Sequence, residues 1–270
     1  MIRIVVAMPA EARPLIDYYG LRSWNSNGAF PLYRNENMAL IVSGIGKTAA
    51  AAATAFAHAH IPTDRPSAWL NIGVAGHPSR TLGEAVIAHK IVDFATNNSW
   101  YPPQVLKPPG DSDSVMTVDA PVTAYDDDVV YDMEAAAFFP TACRFVIGEL
   151  AQCYKVISDN RGSPVQDVTM DLIDSLVRNK LNEIDDLAVR LNRLADEYGK
   201  PRSDHPEFER FLETWRFSVS QRHRLRRLLT QWSARTEKSP WGDELGKQKS
   251  AKDVLSQLEQ QLLTLPVNFG

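Results

Sequence analysis

Four apolar segments in the N-terminal third of the sequence contain few alternating polar residues, and this feature restricts the fold most strongly. They are IRIVVAM at 2–8, MALIVSG at 38–44, SAWLNIGVAG at 67–76 and GEAVIAHKIVDF at 83–94. A strand without a polar face must be covered on both sides. The segments PAEARPLIDYYG at 9–20 and IGKTAAAAATAFAHAH at 45–60 are typical of helices. This order of strands and helices predicts an α/β fold with a mostly parallel sheet.

Two more apolar segments extend the pattern, and a proline-rich segment interrupts it. VMTVD at 115–119 and AQCYKVIS at 151–158 are predicted strands. The segment at 97–113 contains four prolines, which lack the amide hydrogen that a paired strand donates. We therefore predict an irregular loop there, and favour a surface loop over a lid.

From about residue 170 the spacing of apolar residues becomes helical. The apolar positions are Ile173, Val177, Ile184, Leu187, Leu191, Leu194 and Tyr198. A turn at 198–206 followed by a second helical stretch predicts a long helical hairpin, and 251–265 predicts a final helix. We therefore expect an α/β domain at 1–168 and an α-helical C-terminal extension at 169–270.

The composition is that of an ordinary soluble protein. Of the 270 residues, 44% are hydrophobic and 23% are charged, and the net charge is -4, which disfavours long-range attraction to nucleic acid or membranes. The apolar stretch at 1–8 is too short to span a bilayer and lacks the pattern of a secretory leader, so a cytoplasmic protein is predicted. Cys143 and Cys153 form no CxxC pair, and we expect buried thiols and no metal site.

In an open α/β sheet, ligands bind where the strands end, so polar residues that follow strands are candidates for chemistry. These are Glu11 after the first strand, SGIGK at 43–47, GVAG at 73–76 and Asp159 after the last strand. Each has an alternative structural interpretation. An acid in a first helical turn stabilises the helix dipole, and GIG at 44–46 is an incomplete phosphate-loop motif that also suits a tight turn.

The segment DMEAAAFF at 132–139 poses the same choice, because Asp132 and Glu134 precede an alanine-rich helix and both suit a helix N-terminus. The combination of five segments favours function. AMPAEA at 7–12, SGIGKTAAA at 43–51, NIGVAG at 71–76, YDMEAAA at 131–137 and VISDN at 156–160 occur in this order. Together they resemble the purine nucleoside phosphorylase and hydrolase superfamily, most closely its methylthioadenosine/adenosylhomocysteine nucleosidase branch. The resemblance covers about 1–165, and the helical extension lies outside it.

The resemblance implies a three-layer α/β/α sandwich and a set of site residues. Glu11 would activate the attacking water, and Asp159, oriented by Ser158, would protonate or hydrogen-bond the purine. Met133 would lie along the sugar, and Glu134 would accept hydrogen bonds from both ribose hydroxyls. By the same motifs Gly44 and Val74 would border the substrate, and Val122 is a weak assignment beside the base. No cofactor is implied, and inorganic phosphate would be the co-substrate of a phosphorylase.

The sequence departs from the family in ways that leave the nucleophile open. Val74 stands where nucleosidases commonly have a serine, so one polar contact to the nucleophile is missing. Ser43, Gly44, Arg13 and Arg80 are candidate phosphate ligands, because an arginine can bind two oxygens at once. For both arginines an ordinary surface position is favoured. The stretch at 94–129 is short for the family, which leaves the base-contacting elements undefined.

An arginine-rich segment in the helical extension offers a second class of function. Between Trp215 and Arg235 there is no acid, and the arginines are Arg216, Arg222, Arg224, Arg226, Arg227 and Arg235. Such a helix suits nucleic acid or an anionic surface, although a salt-bridged face is favoured.

Two hypotheses on function follow from the sequence: an enzyme that cleaves a nucleoside by water or phosphate, and a nucleoside-sensing or interaction module without turnover. The enzyme is favoured because a sensor needs no pair of acids, and family members suggest a homo-oligomer, with a dimer favoured.

Overall fold

The computed structural model describes residues 1–24, 28–61, 63, 66–107, 110–199, 204–233 and 235–265. The chain divides into two compact units, Met1–Gly199 and Lys200–Gly270. The division therefore lies after 199 and not at 168/169, because the helical segment at 170–199 packs into the core of the first unit. The predicted turn at 198–206 falls partly on 200–203, outside the described residues.

Within the described residues, ten strands form the sheet of the first unit. They are β1 (Ile2–Val6), β2 (Arg22–Ser23), β3 (Leu32–Arg34), β4 (Met38–Val42), β5 (Ala68–Gly76), β6 (Ala85–Asp93), β7 (Ser99–Trp100), β8 (Asp111–Thr117), β9 (Val130–Asp132) and β10 (Ala151–Asp159). All six predicted strands are present. The predicted irregular loop at 97–113 is wrong in part, because β7 and the start of β8 lie within it, while Pro108 and Pro109 fall outside the described residues.

The strand order is β10-β6-β8-β9-β5-β1-β4-β3-β2, with β7 paired to β6, and β10 also pairs with β5. The central pairs of β1 with β4, β1 with β5 and β5 with β10 are parallel. However, β6 runs antiparallel to β10, and β9 runs antiparallel to β5. The sheet is therefore mixed, but its longest pairs, β5 with β10 and β6 with β8, are parallel, and the predicted mostly parallel sheet is confirmed.

The helices of the first unit are α1 (Pro9–Tyr19), α2 (Lys47–His60), α3 (Ala135–Ala142), α4 (Met170–Arg178) and α5 (Leu181–Gly199). On one face of the sheet, α1, α4 and α5 contribute Leu15, Val177 and Leu187 to the core. On the other face, α2 and α3 contribute Ala53 and Phe138. Helices thus cover both faces, and the predicted three-layer α/β/α architecture is confirmed.

The second unit consists of helices around its own aromatic core. Its helices are α6 (Phe208–Thr214), α7 (Val219–Ser233), α8 (Asp243–Gly246) and α9 (Ala251–Thr264). The core residues Phe211, Trp215, Leu228 and Leu258 are buried. The predicted final helix is present as α9, whereas the second long helix of the predicted hairpin is divided between α6 and α7. No helix in the described parts of the chain combines the length and apolar character needed to cross a membrane.

Candidate active site

One cavity brings together acids from three distant parts of the sequence. Glu11, Glu134 and Asp159 all line it, and they are 1%, 6% and 5% exposed. Glu11 lies in the first turn of α1 directly after β1, Glu134 follows β9 and precedes α3, and Asp159 ends β10. The ends of these strands meet at one edge of the sheet, so the three side chains share a single site.

Backbone amides hold the carboxylate of Glu11 on both oxygens. Its Oε2 accepts hydrogen bonds from the amides of Ala7 at 2.8 Å and Met8 at 2.9 Å, and its Oε1 accepts one from the amide of Val74 at 3.0 Å. A carboxylate oxygen has two lone-pair sites. The two amides therefore fill Oε2, whereas Oε1 retains one site for a further donor. Burial raises the pKa of Glu11 against the opposing effect of these amides and of Lys155.

Glu134 directly precedes α3, and its side chain contacts the start of α2. Its Oε1 accepts a hydrogen bond of 2.8 Å from the amide of Gly46, the residue that precedes α2. Gly46 has a φ of 102°, a left-handed conformation that only glycine adopts without strain. Burial raises the pKa of Glu134 to about 7, and the neighbouring Lys155 opposes that rise. A group with this pKa changes charge within the physiological range.

Two side-chain hydroxyls contact the carboxyl group of Asp159, one on each oxygen. The hydroxyl of Ser158 donates to Oδ1 at 2.6 Å, and the hydroxyl of Tyr125 donates to Oδ2. Burial, followed by the hydrogen bond to Asp159, raises the pKa of Tyr125, so its hydroxyl stays protonated and acts as the donor. The orientation of the Asp159 carboxyl is therefore fixed from both sides.

A buried ion pair lies behind the acids. Lys155, in the middle of β10, is fully buried, and its Nζ lies 2.7 Å from Oδ2 of Asp132. Asp132 also accepts hydrogen bonds from Thr117 at 2.6 Å and from the amide of Ala135 at 2.8 Å. Burial opposes the charge of Lys155, but the carboxylates of Asp132 and Glu134 outweigh it and raise the pKa of the lysine. Lys155 therefore supplies a fixed positive charge beside a cluster of buried acids.

Apolar side chains form the remaining walls, and most of the predicted binding residues are among them. Met133, Val74, Val122 and Ser158, which are predicted substrate contacts, line the cavity together with Met8, Ile45, Val118, Pro121, Tyr131, Val165, Val168, Met170 and Ile173. Ser43 and Gly44 are not among its walls. The hydroxyl of Ser43 instead bonds the backbone oxygens of Gly44 and Val6. The segment at 43–46 thus makes a tight turn that brings Ile45 and the Gly46 amide to the site.

Residues 2–121 match the family model described as the phosphorylase superfamily. The resemblance to this superfamily is confirmed. No curated protein sequence matches the chain at a significant level. The similarity in sequence to the superfamily is therefore that of residues 2–121.

Solved structures with a similar fold cover about 70% of the chain. A 5'-methylthioadenosine/S-adenosylhomocysteine nucleosidase from Helicobacter pylori, bound to butyl-thio-DADMe-Immucillin-A, has 14% identity and a TM-score of 0.59 over 70% of this chain and 97% of its own. Futalosine hydrolase of the same organism has 14% identity and a TM-score of 0.58 over 70% and 97%. A 5'-methylthioadenosine nucleosidase from Arabidopsis thaliana has 16% identity and a TM-score of 0.59 over 71% and 95%. At these identities the likeness shows the fold.

The cationic residues that the superfamily resemblance suggested as phosphate ligands lie elsewhere. Arg13 bonds Asp174 at 2.8 Å, and its side chain is 61% exposed. Arg80 bonds Asp113 at 2.8 Å and Asp111 at 3.2 Å. Neither arginine lines the cavity, because acids outside the site hold both guanidinium groups.

Three residues in or behind the cavity were not predicted as site residues from the sequence. Lys155 carried a signal, because a lysine inside a strand that is buried on both faces needs a counter-ion. Tyr125 lies in the short stretch at 94–129 where the family's base contacts were undefined, and its sequence context TAYDDD gives no signal. Asp132 was considered only as a helix cap. Its contact with Lys155 depends on the pairing of distant strands.

The arginine-rich helix α7 of the second unit is partly neutralised. Arg224 makes two hydrogen bonds to Glu259, at 2.9 and 2.6 Å, and Arg226 makes two to Asp204, at 2.7 and 3.0 Å. The guanidinium of Arg235 donates to the backbone oxygen of Leu262. These contacts agree with the salt-bridged surface that was favoured over a nucleic-acid interface.

Proposed function

We propose that the protein cleaves the N-glycosidic bond of a purine nucleoside or of a 5′-modified adenosine and releases the free base. The convergence of Glu11, Glu134 and Asp159 on one cavity carries this proposal. The similar structures include proteins named as 5'-methylthioadenosine/S-adenosylhomocysteine nucleosidases and a futalosine hydrolase, which supports a nucleoside as the substrate class. Glu11 and Asp159 divide the chemistry between them.

The reaction needs a proton donor at the base and an acceptor at the nucleophile. The bond between C1′ and the base nitrogen breaks, its electron pair goes to the base, and the base takes up one proton at the Asp159 end. Water adds its oxygen to the cationic C1′ and gives one proton to Glu11. The Oε1 atom suits this step, since its remaining lone pair can accept the hydrogen bond of a water molecule.

Glu134 and Met133 suit the sugar that lies between these two ends. An ionised carboxylate accepts hydrogen bonds from two neighbouring hydroxyls, so Glu134 would select ribose over a sugar that lacks one of them. The thioether of Met133 gives a polarisable, uncharged surface beside the cationic sugar. The apolar residues Ile45, Val168 and Met170 of the cavity wall favour an apolar substituent on the 5′ carbon of the sugar.

Water is the favoured nucleophile over phosphate. Among the described residues, the cavity lining contains no lysine, arginine or histidine side chain. A phosphate dianion needs such donors, because its charge is otherwise desolvated without compensation. Neither a metal ion nor an organic cofactor enters the proposed reaction. A homodimer and a cytoplasmic location stay predictions of the sequence analysis.

The proposal is tested by incubating the full chain with a panel of purine nucleosides and 5′-alkylthioadenosines, with and without inorganic phosphate. We expect release of free base and free sugar at a rate that phosphate does not change. A sugar 1-phosphate product would reassign the nucleophile to phosphate. Absence of base release under both conditions would favour the module that binds nucleosides without turnover.

The pH dependence of the reaction follows from the two raised pKa values. Glu134, with a pKa of about 7, must be ionised to accept from the ribose hydroxyls, and Glu11 must be ionised to accept a proton. We therefore expect kcat/KM to rise between about pH 5 and about pH 8. In Glu134→Gln the change of KM with pH should disappear while that of kcat remains. A KM that still changes with pH in Glu134→Gln would contradict the role of Glu134.

A further inference from the structure

The tyrosine that contacts Asp159 has no part in the reaction as described so far. Tyr125 lies in the segment between β8 and β9, is 7% exposed and lines the cavity. Its hydroxyl is directed to Oδ2 of Asp159, the oxygen that Ser158 does not contact. A carboxylate can only accept hydrogen bonds, whereas a hydroxyl can donate and accept. Tyr125 can therefore serve Asp159 whether the acid is ionised or protonated.

Contacts of both its backbone and its ring fix the position of Tyr125. Its backbone oxygen accepts a hydrogen bond of 2.8 Å from Nη2 of Arg161, which follows β10. Its ring packs against Tyr131, with 5.6 Å between the ring centroids, in a cluster that also contains Val118. The hydroxyl therefore has little freedom to leave Asp159.

Gly76, at the end of β5, leaves room for this contact. A methyl group in place of its hydrogen would lie 2.5 Å from Oδ2 of Asp159 and 2.7 Å from the Tyr125 hydroxyl. Heavy atoms do not approach a methyl group so closely, so the carboxyl and phenol groups lie directly over the glycine backbone. The sequence thus provides a residue without a side chain where the pair meets.

We propose that Tyr125 is a positioning residue for protonation of the leaving base, because it holds the Asp159 carboxyl in the orientation from which that group delivers its proton. This role rests on the proposed glycosidic cleavage. The proton passes from Asp159 to the base nitrogen as the C1′–N bond breaks. The Tyr125 hydroxyl donates to Oδ2 as Asp159 loses its proton and becomes a carboxylate. Without Tyr125, the charge that forms on Oδ2 would be buried with no donor.

The role is tested with two substrates that differ in the leaving group. A purine nucleoside needs protonation to leave, whereas the 4-nitrophenolate of 4-nitrophenyl β-D-ribofuranoside leaves as an anion. In Tyr125→Phe we expect kcat for the nucleoside to fall about 10²-fold and kcat for the nitrophenyl riboside to change less than about threefold. The second activity also reports that the variant is folded.

Tyr154→Phe is the matched control. Tyr154 is a buried tyrosine of β10 whose hydroxyl also bonds a carboxylate, Glu183 at 2.8 Å, but it lies outside the cavity. Both activities of this variant should equal those of the unaltered protein. Equal losses on both substrates in Tyr125→Phe, or no loss on either, would overturn the role. If the unaltered protein cleaves neither substrate, the proposed function fails and the role of Tyr125 fails with it.

Discussion

Glu11→Gln is expected to lower kcat for nucleoside hydrolysis about 10³-fold, within the range for loss of a general base. A glutamine side chain cannot take up the proton that the attacking water loses. It also replaces one carboxylate oxygen by an NH₂ group. Backbone amides of Ala7, Met8 and Val74 donate to both oxygens of Glu11, so the new NH₂ would face another donor in either orientation. The measurement is single-turnover release of base.

Glu183→Gln is the control for this substitution. Glu183 accepts hydrogen bonds from Tyr154 and Lys180 away from the cavity, so its replacement should leave kcat unchanged. Thermal unfolding of both variants separates a chemical loss from a loss of fold. Turnover by Glu11→Gln within about tenfold of the unaltered protein would remove Glu11 from the role of base.

The residues that could be predicted are those whose signal is local. Glu11, Met133 and Glu134 closely follow a strand and Asp159 ends one, and strand ends are where an α/β sheet binds ligands. Their convergence on one cavity depends only on the strands lying in one sheet. Short segments therefore sufficed to choose these residues, although the sheet itself is mixed.

The residues that could not be predicted depend on contacts between distant segments. Tyr125 reaches Asp159 only because the segment between β8 and β9 passes over Gly76. Arg13 follows Glu11 closely in sequence, yet it points to Asp174 on α4 and not to the cavity. Sequence proximity to Glu11 does not fix the direction of a side chain, because successive positions on a helix face different ways.

The packing of the helices after residue 168 also depends on contacts between distant segments. The heptad-like spacing at 173–198 correctly predicts an apolar stripe, but such a stripe packs equally well on another helix or on a sheet. In this protein Ile184, Leu187 and Leu191 of α5 join the core that covers one face of the sheet. The helical extension as a separate unit therefore begins only after α5.

Lys155→Met is expected to lower the free energy of unfolding by about 3–5 kcal/mol, the range for breaking a buried ion pair. The substitution keeps much of the side-chain volume but leaves the fully buried carboxylate of Asp132 without its cation, 2.7 Å away in the unaltered protein. It also removes the positive charge that opposes the raised pKa values of Glu11 and Glu134. Thermal and urea unfolding of the full chain measure the loss.

Lys180→Met provides the comparison, because Lys180 pairs with Glu183 at 2.7 Å with both side chains partly exposed. Such a pair contributes about 0–1 kcal/mol, so this variant should unfold near the unaltered protein. The double variant Lys155→Met/Asp132→Asn should regain part of the stability, since an asparagine leaves no uncompensated charge. If Lys155→Met unfolds within about 1 kcal/mol of the unaltered protein, the lysine does not compensate the acids. Only the backbone amides around Glu11 would then oppose the rise in its pKa that burial causes.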